Sequence, residues 1–217
     1  MKIVIKNINK KFKNNTVLDD INMELESGKI YGLCGRNGSG KSVLLKIICG
    51  FYYPTSGEVL FDGINYSNNN AYPKDLRALI EKPSFLPNLS GFENLKLLAS
   101  IQNKIGDKEI LETLKKVNLY EEKDKLFKEY SLGMKQKLGI AQVLMEEPKI
   151  MILDEPFNGI EEQSVKKIKK VLEEEKEKDK LIIMSSHIKE DIEALADIKL
   201  YMDNGKLVEK KESNETK

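Results

Sequence analysis

Tryptophan is absent from the 217-residue chain, histidine occurs once, and cysteine twice, at Cys34 and Cys49. Two thiols without a Cys-x-x-Cys spacing exclude a disulfide framework and a cysteine zinc site. They read as small core side chains of a protein kept in a reducing compartment, the cytosol. Net charge is nearly lacking as well: 36 Lys+Arg against 35 Asp+Glu leave +1. Such a balance gives no long-range pull on nucleic acid or anionic lipid, and no nucleic-acid partner is expected. No stretch approaches the roughly 18 consecutive apolar residues of a membrane span. The run at residues 43–51 is broken by Lys46 and Gly50, and residues 1–6 read as a strand without the apolar centre of a signal peptide. What is present is ordinary for a globular protein, 40% hydrophobic and 33% charged, with enough chain to bury a core as one domain.

Short alternation at residues 3–7 and 17–25, with polar residues between, predicts a hairpin-like opening. The turn Ser27-Gly28-Lys29 leads to a compact apolar run at 30–34, then a glycine-rich loop and a helical pattern closed by Gly50 and Pro54. Residues 57–61 read as a strand ended by Asp62-Gly63. From about residue 71 to 145 the character changes to mostly helical, with helices predicted over 91–103, 108–117 and 131–145. A buried strand follows at 150–153, a charged helix at 161–178, a strand at 181–185, a short helix at 188–196 and a hairpin turning at Asp203-Asn204-Gly205. Strands alternating with helices predict an α/β core with a largely parallel sheet, into which the helical middle is inserted.

Gly35-Arg36-Asn37-Gly38-Ser39-Gly40-Lys41-Ser42 matches G-x-x-x-x-G-K-[ST] between a strand and a helix, the context this phosphate loop requires. Glycines let backbone N–H groups converge on phosphate oxygens, and the helix start adds partial positive charge. Lys41 is expected to reach the β- and γ-phosphates and the Ser42 hydroxyl to ligate Mg²⁺. The loop defines a nucleoside-triphosphate site without defining the enzyme.

Ile150-Met151-Ile152-Leu153 is an apolar strand that ends in Asp154-Glu155, at the carboxyl edge where open α/β sheets bind ligands. Taken alone, two acids after a core strand serve equally well as a loop. Joined to the phosphate loop, Asp154 is expected to hold Mg²⁺ through its water shell. Glu155, on the opposite side of an alternating strand, is expected to take a proton from attacking water.

Upstream lies Tyr130-Ser131-Leu132-Gly133-Met134-Lys135-Gln136. Ser131 suits the N-cap of a helix carrying Leu138, Ala141 and Leu144, and on these residues alone an ordinary capped helix is sufficient. The segment resembles the signature motif of ABC ATPases, Leu-Ser-Gly-Gly-Gln in its common form, at the place the family puts it before Asp154-Glu155. Leu132 and Met134 depart from that form. Similar Ser-Leu-Gly-Met versions occur in transporters of the bacitracin- and lantibiotic-resistance and immunity group.

The resemblance covers nearly the whole chain. It implies a P-loop NTPase core with a mostly parallel sheet, an antiparallel β subdomain and an inserted helical subdomain. Residues 1–217 would form a single ABC ATPase domain, with about 1–70 and 146–210 as nucleotide-binding core, about 71–145 as helical subdomain, and 211–217 as a polar tail. It implies ATP and Mg²⁺ as ligands, a second ATPase subunit, identical or different, and a separate integral-membrane permease, with this chain cytoplasmic and peripheral on the inner face of the membrane. By the resemblance, Ser131 and Gly133 touch the γ-phosphate held by the opposite subunit, His187 is the switch histidine at the γ-phosphate, and Phe12 stacks on adenine. Asn158-Gly159-Ile160-Glu161 occupies the place of the loop that crosses the dimer, with Glu161 where the family usually has Asp. Glu81 stands where the coupling loop normally carries a Gln that reaches Mg²⁺, and an anionic oxygen remains a good hard-metal ligand. Val43 replaces the usual Thr, keeping only a backbone N–H for phosphate. A soluble P-loop kinase would use Lys41, Ser42 and Asp154 but leave Ser131, Gly133 and His187 without a role. Non-transport ABC ATPases usually carry tandem modules or long coiled coils.

Overall fold

The computed structural model describes residues 1–65, 73 and 75–209. The chain opens with two long antiparallel strands, β1 (Lys2–Phe12) and β2 (Asn15–Glu26). They outrun the predicted hairpin because the polar residues between its halves continue the ladder on a sheet with one exposed face. β3 (Lys29–Cys34), the phosphate loop and helix α1 (Lys41–Ile48) follow, then β4 (Ser56–Phe61), β5 (Ile64–Asn65) and β6 (Leu76–Leu79). Three helices come next: α2 (Gly91–Gln102), α3 (Asp107–Lys116) and α4 (Leu132–Leu144). The chain finishes with β7 (Ile150–Asp154), α5 (Glu162–Glu177), β8 (Leu181–Ser186), α6 (Lys189–Leu195), β9 (Ile198–Asp203) and β10 (Lys206–Val208).

Among the described residues the strands form two sheets. One is antiparallel, ordered β2-β1-β4-β5; the other is ordered β10-β9-β3-β8-β7-β6 and is parallel except for its β9–β10 edge. This is the expected mixed architecture of parallel core, antiparallel subdomain and helices. The stretch grouped with the helices from about residue 71 needs one correction. Leu76–Leu79 is not part of a helical layer but pairs in parallel with β7 as the edge of the core sheet. Its apolar run is too short, and too interrupted by Arg77, to be recognised in the sequence; the guanidinium is satisfied by Glu146. The boundary placed near residues 70 and 71, and the tail at 211–217, lie outside the described residues.

β7 shows how the layers are joined. Ile150 and Ile152 pack into a core with Ile3, Leu44, Leu45 and Ile183, beneath the antiparallel sheet. Met151 and Leu153 pack into a second core with Leu138, Ala141, Ile168 and Leu172, beneath the helices. Alternation sends successive side chains to opposite faces, and both faces are covered, so the whole strand is apolar and buried. No helix among the described residues is long and apolar enough to cross a membrane.

Candidate nucleotide site

The phosphate loop leaves β3 and turns directly into α1. Gly38 and Gly40 have φ of +81° and +104°, a backbone region that strains any side chain carrying Cβ. A Cβ on Gly40 would also meet Leu18 Cδ2 at 2.8 Å. Gly40 caps α1 with no side-chain acceptor, so the first-turn N–H groups face the loop, the arrangement that binds phosphate. The turn between β9 and β10 buttresses it from below: Gly205 N–H donates to Ser39 O at 3.0 Å, and Asp19 N–H donates to Gly205 O at 2.9 Å. Gly35 lies at the end of β3, Arg36, Asn37 and Gly38 are exposed, and Ser42 and Val43 are half-buried at the start of α1. A cavity of about 190 Å³ is lined by residues 37–43 together with Val17 and Glu155.

Lys41 is buried, and its Nζ donates to the carbonyls of Gly35 at 2.7 Å and Arg36 at 3.2 Å. Its ammonium lies 3.9 Å from Glu155 Oε1. Glu155 is not a strand residue: β7 ends at Asp154, and Glu155 follows with φ of +48°. The side of the sheet it faces is therefore set by this left-handed turn rather than by strand alternation. Two neighbours hold the turn. Glu155 N–H donates to both the carbonyl and the hydroxyl of Ser185, each at 3.1 Å, and Gln136 Nε2 of α4 donates to the Glu155 carbonyl at 3.1 Å. Glu155 Oε2 meets His187 Nδ1 at 2.8 Å, while Oε1 is buried with no hydrogen-bond partner among the described residues. Asp154 is buried and accepts a hydrogen bond from the Ser185 hydroxyl. Lys41, Glu155 and His187 are thus brought together at the phosphate loop, on a base formed by Asp154 and Ser185.

The Ser131 hydroxyl caps α4, accepting from Met134 N–H at 3.2 Å. Gly133 is buried against the 158–161 loop of the same chain, and a Cβ there would lie 2.4 Å from Gly159 O. Glu161 closes the network as the residue before α5. It accepts from the Lys137 ammonium at 2.8 Å and from the Ser164 hydroxyl at 2.6 Å. The Lys137 hydrogen bond, assisted by Ser164, holds the Glu161 carboxyl down at about 2. Phe12 ends β1, 41% exposed, with its ring edge-on to Tyr52 at 5.6 Å. Glu81 has φ of +64° and pairs with Lys46 of α1. Both cysteines are buried, and desolvation pushes the Cys49 thiol up to about 12, which suits core side chains rather than reactive thiols.

The donors near the loop, the Ser42 hydroxyl and the Asp154 carboxylate, are hard oxygens suited to Mg²⁺. Among the described residues no three acidic, histidine or cysteine side chains form a metal cage. That suits an ion held by one carboxylate and a hydroxyl and shared with nucleotide phosphates. Ser185, Gln136, Lys137, Lys46 and Tyr52 were given no role by the sequence. Gln136 lies inside the segment that drew attention, but its partner, the Glu155 carbonyl, is legible only in three dimensions.

Strand, glycine loop, lysine, helix and terminal carboxylates define a P-loop nucleotide-binding protein. A family model described as ABC transporter matches residues 18–158. The chain is 42% identical over 205 residues to the uncharacterized ABC transporter ATP-binding protein YybJ of Bacillus subtilis (strain 168), covering 94% of each. It is 41% identical over 210 residues to the bacitracin transport ATP-binding protein BcrA of Enterococcus faecalis, covering 95% of this chain and 68% of that one. Against the lantibiotic transport ATP-binding protein SrtF of Streptococcus pyogenes the identity is 36% over 208 residues, with 96% and 90% covered. A solved ATP-binding subunit of an ABC transporter superposes with a TM-score of 0.85 at 26% identity, covering 95% of this chain and 88% of that one. A dimeric bacterial ABC transporter cassette, MJ0796, superposes with a TM-score of 0.87 at 24% identity over 95% and 97% of the two chains. The chain belongs to the ABC transporter family, as an ATP-binding subunit and ATPase.

Proposed function

We propose that this chain hydrolyses ATP as half of a nucleotide-sandwich dimer on the inner face of the membrane, driving a separate permease. The observation that carries the reading is the Glu155 carboxylate, held by His187 on one oxygen and presenting the other, buried, 3.9 Å from Lys41 beside the phosphate loop.

In this reading the loop N–H groups from Gly35 to Val43 and the Lys41 ammonium bind the phosphates, and Phe12 stacks on adenine. Ser42 and Asp154, with Glu81 from the coupling loop, would hold Mg²⁺, which when bound neutralises phosphate charge. Water attacks the γ-phosphorus and Glu155 Oε1 takes its proton. The bond to the β–γ bridging oxygen breaks, and ADP and phosphate leave. His187 orients Glu155 and contacts the γ-phosphate. Ser131 and Gly133 complete the site of the partner protomer, so neither copy works alone. Relatives named for bacitracin and lantibiotic transport support a peptide antibiotic as cargo, exported or neutralised.

Glu155→Gln tests the core of this. The amide keeps the size and cannot accept the proton, so turnover falls by roughly 10²–10⁴ while an ATP-bound dimer accumulates on size exclusion. Unchanged turnover rules Glu155 out as the base.

A further inference from the structure

The loop that leaves β6 is tied to α1 by a single cation. Glu81 is two residues beyond the strand, in left-handed backbone at φ +64°, a conformation that is unfavourable for a non-glycine residue and persists where contacts over-determine it. The contact is the Lys46 ammonium, and the two partners differ in setting. The Lys46 side chain is 17% exposed and that of Glu81 66% exposed. An ion pair between two exposed side chains contributes little, largely because two floppy chains must be ordered. Here the lysine side chain is largely covered, so less freedom remains to be lost. Its backbone carbonyl accepts from Phe51 N–H at 2.8 Å and Tyr52 N–H at 3.2 Å. Its ammonium lies 5.2 Å from the centroid of the Tyr52 ring, a cation–π distance. Tyr52 in turn packs edge-on against Phe12 at 5.6 Å, 72° between planes, and Lys10 Nζ lies 4.9 Å from the Phe12 centroid. Glu81, Lys46, Tyr52 and Phe12 therefore form an unbroken chain of contacts.

We infer that Lys46 is a positioning residue that fastens Glu81 to the phosphate-loop helix and links the seat of this loop to the Phe12–Tyr52 aromatic pair on the base side of the nucleotide. The inference rests on the reading that ATP binds at residues 35–43 with its base on Phe12. A ligand that settles on Phe12 shifts Tyr52, the shift reaches the Lys46 ammonium through ring and backbone together, and the loop carrying Glu81 follows. A neutral residue at position 81 would break this link, because an uncharged side chain has a much weaker hold on an ammonium.

Hydrogen–deuterium exchange on the full chain, with and without ATP, tests it on Lys46→Met, Lys46→Arg and Lys46→Gln. Met keeps the stem over Tyr52 and removes the charge. Amides of residues 80–82 in Lys46→Met should exchange roughly tenfold faster, the factor expected for one lost charge-assisted hydrogen bond. ATP should slow exchange there in the parent and in Lys46→Arg, and leave it unchanged in Lys46→Met and Lys46→Gln. Slowed exchange at residues 35–42 on adding ATP reports nucleotide binding separately, so a failure of that reading is distinguishable. Two results overturn the inference: unaltered exchange at 80–82 in Lys46→Met, or a loosened loop that still responds to ATP as the parent does. Folding is checked in each variant by exchange of the β7 amides, and Lys46→Gln, which also removes the charge, provides the answer if Lys46→Met does not fold.

Discussion

His187 Nδ1 sits 2.8 Å from Glu155 Oε2, so the one histidine in the chain is spent on the carboxylate that follows β7. The contact leaves Oε1 as the free acceptor, next to Lys41. His187→Ala removes the tether and lets Glu155 rotate. Turnover is expected to fall by roughly 10²-fold, the lower range for a misplaced acid–base group, a larger effect than the loss of ATP affinity from one missing γ-phosphate contact. Steady-state ATPase measurements paired with a direct binding titration check this; a rise in Kd with unchanged turnover would contradict it.

Ser185 supports both acids at once, donating its hydroxyl to Asp154 and accepting from Glu155 N–H, with no exposure to solvent. Ser185→Ala leaves one Asp154 oxygen without its donor in a buried place, a penalty of about 1–3 kcal/mol. Urea denaturation should record that loss, and ATPase activity should fall alongside it, because the orientation of both carboxylates is disturbed. An active, equally stable variant would show that Ser185 is dispensable.

Gly133→Ala sets two effects against each other. In a helix interior the change ordinarily stabilises by about 1 kcal/mol, and at the second position of α4 by less. Here the new methyl would lie 2.4 Å from Gly159 O, a backbone atom that has to move. Overpacking of that kind costs about 1–3 kcal/mol, so the net effect is destabilising or at best neutral. A thermal melt decides it, and a gain in stability would mean that the 158–161 loop yields freely.

Glu161 carries a pH signature. Its folded value, about 2, lies below the ordinary 4.5, chiefly through the Lys137 hydrogen bond. A depressed carboxylate contributes stability that is complete above about 4.5 and lost as pH falls through about 2. Its side chain is 54% exposed, so solvent screening brings the contribution down to roughly 1 kcal/mol. Denaturation midpoints of the parent and Glu161→Gln should therefore differ at pH 6 and converge toward pH 2. A constant gap across that range would remove the Lys137 pair as its source.

The contiguous parts of the site were readable in the chain. The phosphate loop spans residues 35–42, and the carboxylate strand is one apolar run ending in two acids. The N-cap Ser131 and the helices at 91–103 and 108–117 follow from capping and periodicity, and α2 begins with a Ser90–Glu93 capping box. What escaped is built from distant pairs. Lys46 and Glu81 are 35 residues apart, Lys137 and Glu161 are 24 apart, and Ser185 and Asp154 are 31 apart. Charged residues fill so much of the chain that composition cannot select these pairings; only the folded chain does. Glu155 was legible as a candidate base, but its orientation was not, because strand alternation stops one residue before it.

The division of β7 between two cores has a mechanical consequence. Ile150 and Ile152 belong to one packed unit and Met151 and Leu153 to the other, and close-packed interiors transmit displacement rather than absorbing it. Asp154 and Glu155 thus sit on a strut clamped from both sides, and neither half of the molecule can loosen without disturbing it. Motion that leaves this strut undisturbed falls on segments outside the clamp, among them the exposed turn at Glu81, whose ion pair to α1 is made by Lys46.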